Sequence, residues 1–202
     1  MKRAMLMLVA VALLVGGAGR AKADLVITFE QSGANVVANG VGSLNFSALT
    51  FEGFDETSSY VQANAGAVLL GSSGTYADYY GSISGPTSFG PGLNFVADSS
   101  SNSGTNDTGA GVDGATGQLL VPGGYAAGAP FTVSATWDNE TISGLGLTPG
   151  TYTWTWGSGA TADSLEVIIP GAATPEPSSV ILLLTGLLAL ASVTRKQILH
   201  RL

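Results

Sequence analysis

Cysteine is absent from the 202 residues, so neither a disulfide framework nor a thiolate metal site is available. That absence does not argue against export, because a domain of about 150 residues can bury enough surface without covalent staples. Basic side chains are missing from the whole interval between Asp24 and Thr194. Lys2, Arg3, Arg20 and Lys22 stand at one end of the chain, and Arg195, Lys196 and Arg201 at the other. All 14 acids lie between Asp24 and Glu176. A body with charge of one sign repels phosphate backbones and anionic lipid surfaces, which excludes nucleic acid as a partner. The single histidine, His200, lies two residues from the end. Ser-His-Asp and Cys-His catalysis, Schiff-base chemistry, histidine zinc sites and phosphate clamps each lose a required part. The body therefore reads as non-enzymatic, with no catalytic residue and no cofactor.

What is present at the two ends looks like addressing. Lys2 and Arg3 precede an apolar run from Met5 to Val15, and a more polar stretch ends in Ala21-Lys22-Ala23. Basic start, short apolar centre and an Ala-x-Ala end describe a secretory signal peptide over residues 1–23, cut by signal peptidase between Ala23 and Asp24. An uncleaved anchor is the other reading, but the run falls short of the ~20 apolar residues of a spanning helix. At the far end, Ser178–Val193 carries no charge and is rich in helix formers. A transmembrane helix is expected over 178–194, lengthened by snorkelling of the basic residues that follow. Arg195, Lys196 and Arg201 in the tail 195–202 hold that end in the cytoplasm, which leaves the body outside. Pro175 and Pro177 disfavour helix immediately before the span, and Glu176 stays out of the bilayer. Pro175-Glu176-Pro177 is thus an extended, exposed strip at the outer membrane face.

A Pro-Glu-Pro triplet, then a short apolar helix, then basic residues, all within the last 30 residues, resembles the PEP-CTERM sorting domain, here over 174–202. The resemblance implies recognition by an exosortase and transient residence in the inner membrane of a Gram-negative bacterium. It further implies delivery to the cell surface or to an exopolysaccharide or biofilm matrix. The end of the body, Leu147 to Glu166, also resembles endings seen in some PEP-CTERM proteins of no known activity.

Between the addresses, 24–173 forms one expected exported domain. Leu25, Ile27 and Phe29 alternate with Val26, Thr28 and Glu30; Leu44, Phe46 and Ala48 alternate with Ser43, Asn45 and Ser47. Phe131, Val133, Ala135 and Trp137 share a face, as do Leu165, Val167 and Ile169. In Thr151–Trp156, Tyr152, Trp154 and Trp156 oppose three threonines. Period-2 patterning of this kind, with glycine throughout and no helical period, predicts an all-β, antiparallel β-sandwich or jelly-roll-like domain. Thr148-Pro149-Gly150-Thr151 reads as a type II turn, and Gly157-Ser158-Gly159 as a reversal that pairs the strands on either side. Residues 98–117 read as a long surface loop.

Three kinds of binding chemistry survive. Asp55-Glu56 and Asp138-Asn139-Glu140 are candidate carboxylate pairs for glycoside hydrolysis. Asp98, Asp107 and Asp113, with Asn102 and Asn106, are oxygen ligands for calcium, although their spacing does not match a helix-loop-helix calcium loop. Tyr152, Trp154 and Trp156 are a candidate sugar-stacking row for exopolysaccharide, against which stands the general tendency of alternating aromatics to be core. Tyr76, Tyr79 and Tyr80 form a second aromatic group beside Asp78, expected near a turn.

Overall fold

The computed structural model describes residues 24–104 and 109–171, with the backbone alone for residues 24 and 73–76. The expected signal peptide, sorting motif, transmembrane helix and basic tail lie outside the described residues. The chain divides into two units, Met1–Pro170 and Gly171–Leu202, and the described strands belong to the first.

Among the described residues the chain forms eleven strands. They are β1 (Asp24–Ser32), β2 (Asn35–Gly42), β3 (Thr50–Gln62), β4 (Ala67–Gly81), β5 (Asn94–Val96), β6 (Ser99–Ser103), β7 (Ala110–Asp113), β8 (Gln118–Pro122), β9 (Phe131–Trp137), β10 (Gly150–Trp156) and β11 (Asp163–Ile169). No α-helix occurs among the described residues, and none of their helices is long and apolar enough to cross a membrane. One sheet runs β10-β11-β1-β2-β9-β6 and the other β5-β3-β4-β7-β8. The body is therefore an all-β domain of two sheets, consistent with a sandwich. Pairing is antiparallel except where β1 meets β11, the first and last strands, which run parallel.

Each period-2 face predicted over 25–30, 131–137 and 165–169 turns its apolar members inward. Leu25, Ile27, Phe29, Phe131, Val133, Ala135, Trp137, Leu165, Val167 and Ile169 are all buried. From the second sheet, Val61, Val68, Leu70, Val112, Leu119 and Val121 join them in one apolar cluster. At about 25 cal/mol per Å² of buried apolar surface, this shared cluster is the main force that holds the sheets face to face.

The hairpin β3–β4 is the least regular element. Between the pairs Ser58↔Ser73 and Tyr60↔Leu69, β3 advances by two residues and β4 by four, so β4 bulges. Gly71, with φ +81, supplies the corner. Ser59 Oγ fastens it, donating to Ser72 O and accepting from Ser72 N, both at 2.9 Å. Beyond the corner β4 meets new neighbours: its Ala67–Leu70 end pairs with β7, and its Ala77–Gly81 end with β8. Because β7 also pairs with β8, the two halves of β4 and these two short strands close into a ring. Ala67, Leu69, Ala77 and Leu120 are buried but lie apart from the main cluster, as expected for a small second core on the ring's other face.

Four local expectations are corrected. The alternating segment 43–48 is not a strand. It is a loop tied down at Leu44 N by Tyr125 Oη (3.0 Å) and at Asn45 N by the buried Asp163 (2.5 Å). Residues 98–117 are not one loop, since they contain β6 and β7. Gly150 does not take the positive φ that a type II turn requires there; it begins β10. Tyr76, Tyr79 and Tyr80 lie within β4 and not at a turn. The pairing of 151–156 with 163–169 is observed, with register from Gly150↔Ile169 to Trp156↔Asp163.

Candidate functional site

The aromatic row on β10 is core. Trp154 is fully buried and Trp156 is 5% exposed, whereas Thr151, Thr153 and Thr155 face solvent. Each indole N–H has a carbonyl partner: Trp154 Nε1 donates to Pro86 O (2.9 Å) and Trp156 Nε1 to Asn45 O (2.8 Å). Phe89 stands edge-on to Trp154 with ring centroids 6.3 Å apart. Tyr152 is half-buried, and its hydroxyl donates to Thr148 O (3.0 Å). Trp154 and Trp156, held this way, cannot receive a sugar, so Tyr152, Trp154 and Trp156 do not form a stacking row.

The two described carboxylates among the calcium candidates, Asp98 and Asp113, lie at different sheets. Asp98 precedes β6 at the edge of the six-stranded sheet, and its Oδ2 accepts from Asp138 N (2.7 Å). Asp113 ends β7 in the other sheet, where its Oδ1 accepts from Ala115 N (3.0 Å) and Thr116 N (3.1 Å). Asp107 and Asn106 lie outside the described residues. Among the described residues no group of three or more His, Cys, Asp or Glu side chains could hold a metal ion.

Of the carboxylate candidates, Asp55 and Glu56 are exposed neighbours on β3 and so project to opposite faces of the strand. Asp138 and Glu140 follow β9 in a polar network. There Asn35 Nδ2 donates to Asp138 Oδ1 (2.8 Å), and Asn139 N donates to Asn35 Oδ1 (3.0 Å). Gln31 Nε2 donates to Glu140 O (3.0 Å), and Asn139 sits at φ 57. This network closes the β1–β2 hairpin onto the turn after β9, which is a sufficient structural role for it.

Two tyrosine groupings flank the ring of β4, β7 and β8. On one face, burial pushes the hydroxyl of Tyr60 far up, helped by Asp113 and then Tyr79. Tyr79 is raised by burial, then by Asp55 and Asp113. On the opposite face a line of rings runs outward from the core. Buried Phe131 stands edge-on to Tyr125 at 5.2 Å between centroids, Tyr125 lies 6.1 Å from Phe46, Phe46 4.6 Å from Tyr80, and Tyr80 5.6 Å from Phe51. The line ends in solvent, with Phe51 52% and Phe54 65% exposed.

Register explains why the line emerges there. Phe51 pairs with Tyr80 and Phe54 with Asp78, so all four share one face of β3–β4, with Glu56 two residues beyond Phe54. On β8 the same face carries Leu119 and Val121, opposite Tyr80 and Asp78, and both are buried. The face is thus core at β8, half-buried at β4 and open at β3. The sequence shows Tyr80 and Asp78 only as part of a tyrosine group, and Phe51 and Phe54 are set in a polar stretch, with a bulge between Phe51 and Gly53 that hides their common side.

No family model, curated protein or solved structure matches the chain. Its class rests on its own features: a two-sheet, all-β domain with charge of one sign and an open aromatic corner.

Proposed function

We propose that this is an exported, non-enzymatic protein with a PEP-CTERM sorting tail, deposited at the cell surface or in an exopolysaccharide matrix. In this reading signal peptidase removes 1–23, the helix over 178–194 holds the precursor in the inner membrane, and an exosortase acts at the Pro175-Glu176-Pro177 strip. The observation that carries it is the order of features along the sequence: a basic and apolar start ending in Ala21-Lys22-Ala23, an acidic body, and Pro175-Glu176-Pro177 ahead of an apolar run and basic residues. The last described strand ends at Ile169, five residues before Thr174. The body also lacks His, Cys, Lys and Arg from Asp24 to Thr174, which leaves carboxylates as its only strong acid–base groups.

The test is replacement of Pro175, Glu176 and Pro177 together by alanine, followed by fractionation of the producing cells. The precursor is expected to stay in the membrane fraction at full length. Normal release of this variant would refute exosortase sorting, while leaving export by the signal peptide intact.

A further inference from the structure

The open face of β3–β4 has the chemistry of a sugar site, and the geometry points to a binding site for a neutral glycan chain at Phe51, Phe54 and Tyr80, bordered by Asp78 and Glu56. Two large aromatic side chains exposed by half or more, side by side on one sheet face, form an apolar patch that folding alone does not explain. Burying them fully would have stabilised the domain; here half or more of each ring surface remains exposed. A glycan is suited to such a patch because a pyranose has an apolar C–H face for an aromatic ring and hydroxyls around its rim. Asp78 and Glu56 lie on the same face and supply strong acceptors for those hydroxyls.

Ring geometry narrows the ligand. Phe51 and Tyr80 meet at 66°, and Tyr80 and Phe46 at 42°. Phe51 is a floor and Tyr80 a wall, so one sugar ring can lie on the first with its edge against the second. Rings tilted in this way do not match a flat crystalline array, which needs coplanar faces. A single, soluble chain fits better.

Charge narrows it further. Both bordering side chains are acidic and no cation lies between Asp24 and Thr194, so a chain rich in uronate or sulfate meets repulsion with nothing to offset it. The same repulsion excludes a second copy of this domain as the occupant. Face-to-face pairing would bring carboxylates together without a basic partner.

Binding is measured by titration calorimetry of the full chain in detergent, with chitohexaose and cellohexaose as neutral probes and alginate oligomers as the acidic control. At least one neutral probe is expected to bind, with alginate at least tenfold weaker. Phe51→Ser and Phe54→Ser are each expected to weaken binding at least tenfold with an unchanged melting temperature, and Phe51→Trp to preserve it. Thr153→Ser, on the other sheet, is expected to bind as the parent does. The inference is overturned if neither neutral probe binds, if alginate binds as well, or if both serine variants bind as the parent does. Because binding is measured on purified chain, its failure is separable from a failure of the sorting reading.

Discussion

Replacing Trp154 with alanine tests whether the β10 rings serve the fold or a ligand. The side chain is fully buried, and its surroundings cannot easily collapse into the space it leaves. A β-carbon placed on Gly85 would lie 2.6 Å from Trp154 Cγ, and one on Gly114 3.0 Å from its Nε1, so the backbone already presses against both sides of the indole. Truncating a buried tryptophan costs about 3–5 kcal/mol, the upper part of the range applying where the cavity stays open. Loss of the bond to Pro86 O adds about 1 kcal/mol for an acceptor left without its donor. Together about 4–6 kcal/mol is expected, which for a domain of this size lowers the melting temperature by roughly 12–18 °C. Trp154→Phe keeps most of the ring and is expected to cost about 2 kcal/mol. Phe51→Ala, which removes an exposed ring, is expected to cost less than about 1 kcal/mol. Urea unfolding followed by far-UV circular dichroism reads all three. A Trp154→Ala cost below about 1 kcal/mol, or one no larger than that of Phe51→Ala, would refute the assignment of β10 to the core.

Two further perturbations probe the β4 ring. Gly71→Ala is expected to destabilise by about 2–4 kcal/mol: φ +81 costs a β-carbon about 1–2 kcal/mol, and that carbon would meet Val133 Cγ1 at 2.7 Å. Unchanged urea unfolding of this variant would show that the chain does not turn at Gly71 as described. Tyr60 gives a pH test. Its hydroxyl titrates higher in the folded chain than the ordinary value of 10.0, so its contribution is fully present below about pH 10 and is lost as pH rises beyond it, at up to about 1.4 kcal/mol per pH unit. Tyr60→Phe is expected to flatten the fall in stability between about pH 10 and 11, leaving the smaller slope from Tyr79, Tyr80 and Tyr125, which are also raised. An identical slope with and without the hydroxyl would show that the Tyr60 hydroxyl is not shielded from water as described.

Legibility in the sequence followed the strength of one-sided burial. β1, β9, β10 and β11 bury one face against the common core, so their large apolar residues alternate cleanly. β6, Ser-Ser-Ser-Asn-Ser, has no apolar residue; it is a strand because its backbone pairs with β9, a fact that side-chain pattern cannot carry. β4 fails for two other reasons. Ala67–Leu70 is buried on both faces and reads as a continuous run, and the Gly71 corner then shifts the phase of everything after it. The loop at 43–48 imitated a strand because its restraints, Asp163 and Tyr125, are 118 and 81 residues away. Candidate sites suffered from the same distance. The β10 row was visible as a row, but its burial depends on Pro86, Phe89 and Asn45. The Phe51–Tyr80 corner needed the β3–β4 register, including its bulge, before its members could be placed together.

The central claim is that a folded acidic domain is delivered outside the cell by two removable addresses. Intact mass spectrometry of the protein recovered from the medium or the cell surface tests it most directly. The expected mass corresponds to a chain that begins at Asp24 and ends at or near Pro175-Glu176-Pro177, with any attached group appearing as an added increment. A full-length chain from Met1 to Leu202, recovered soluble from the cytoplasm, would contradict it.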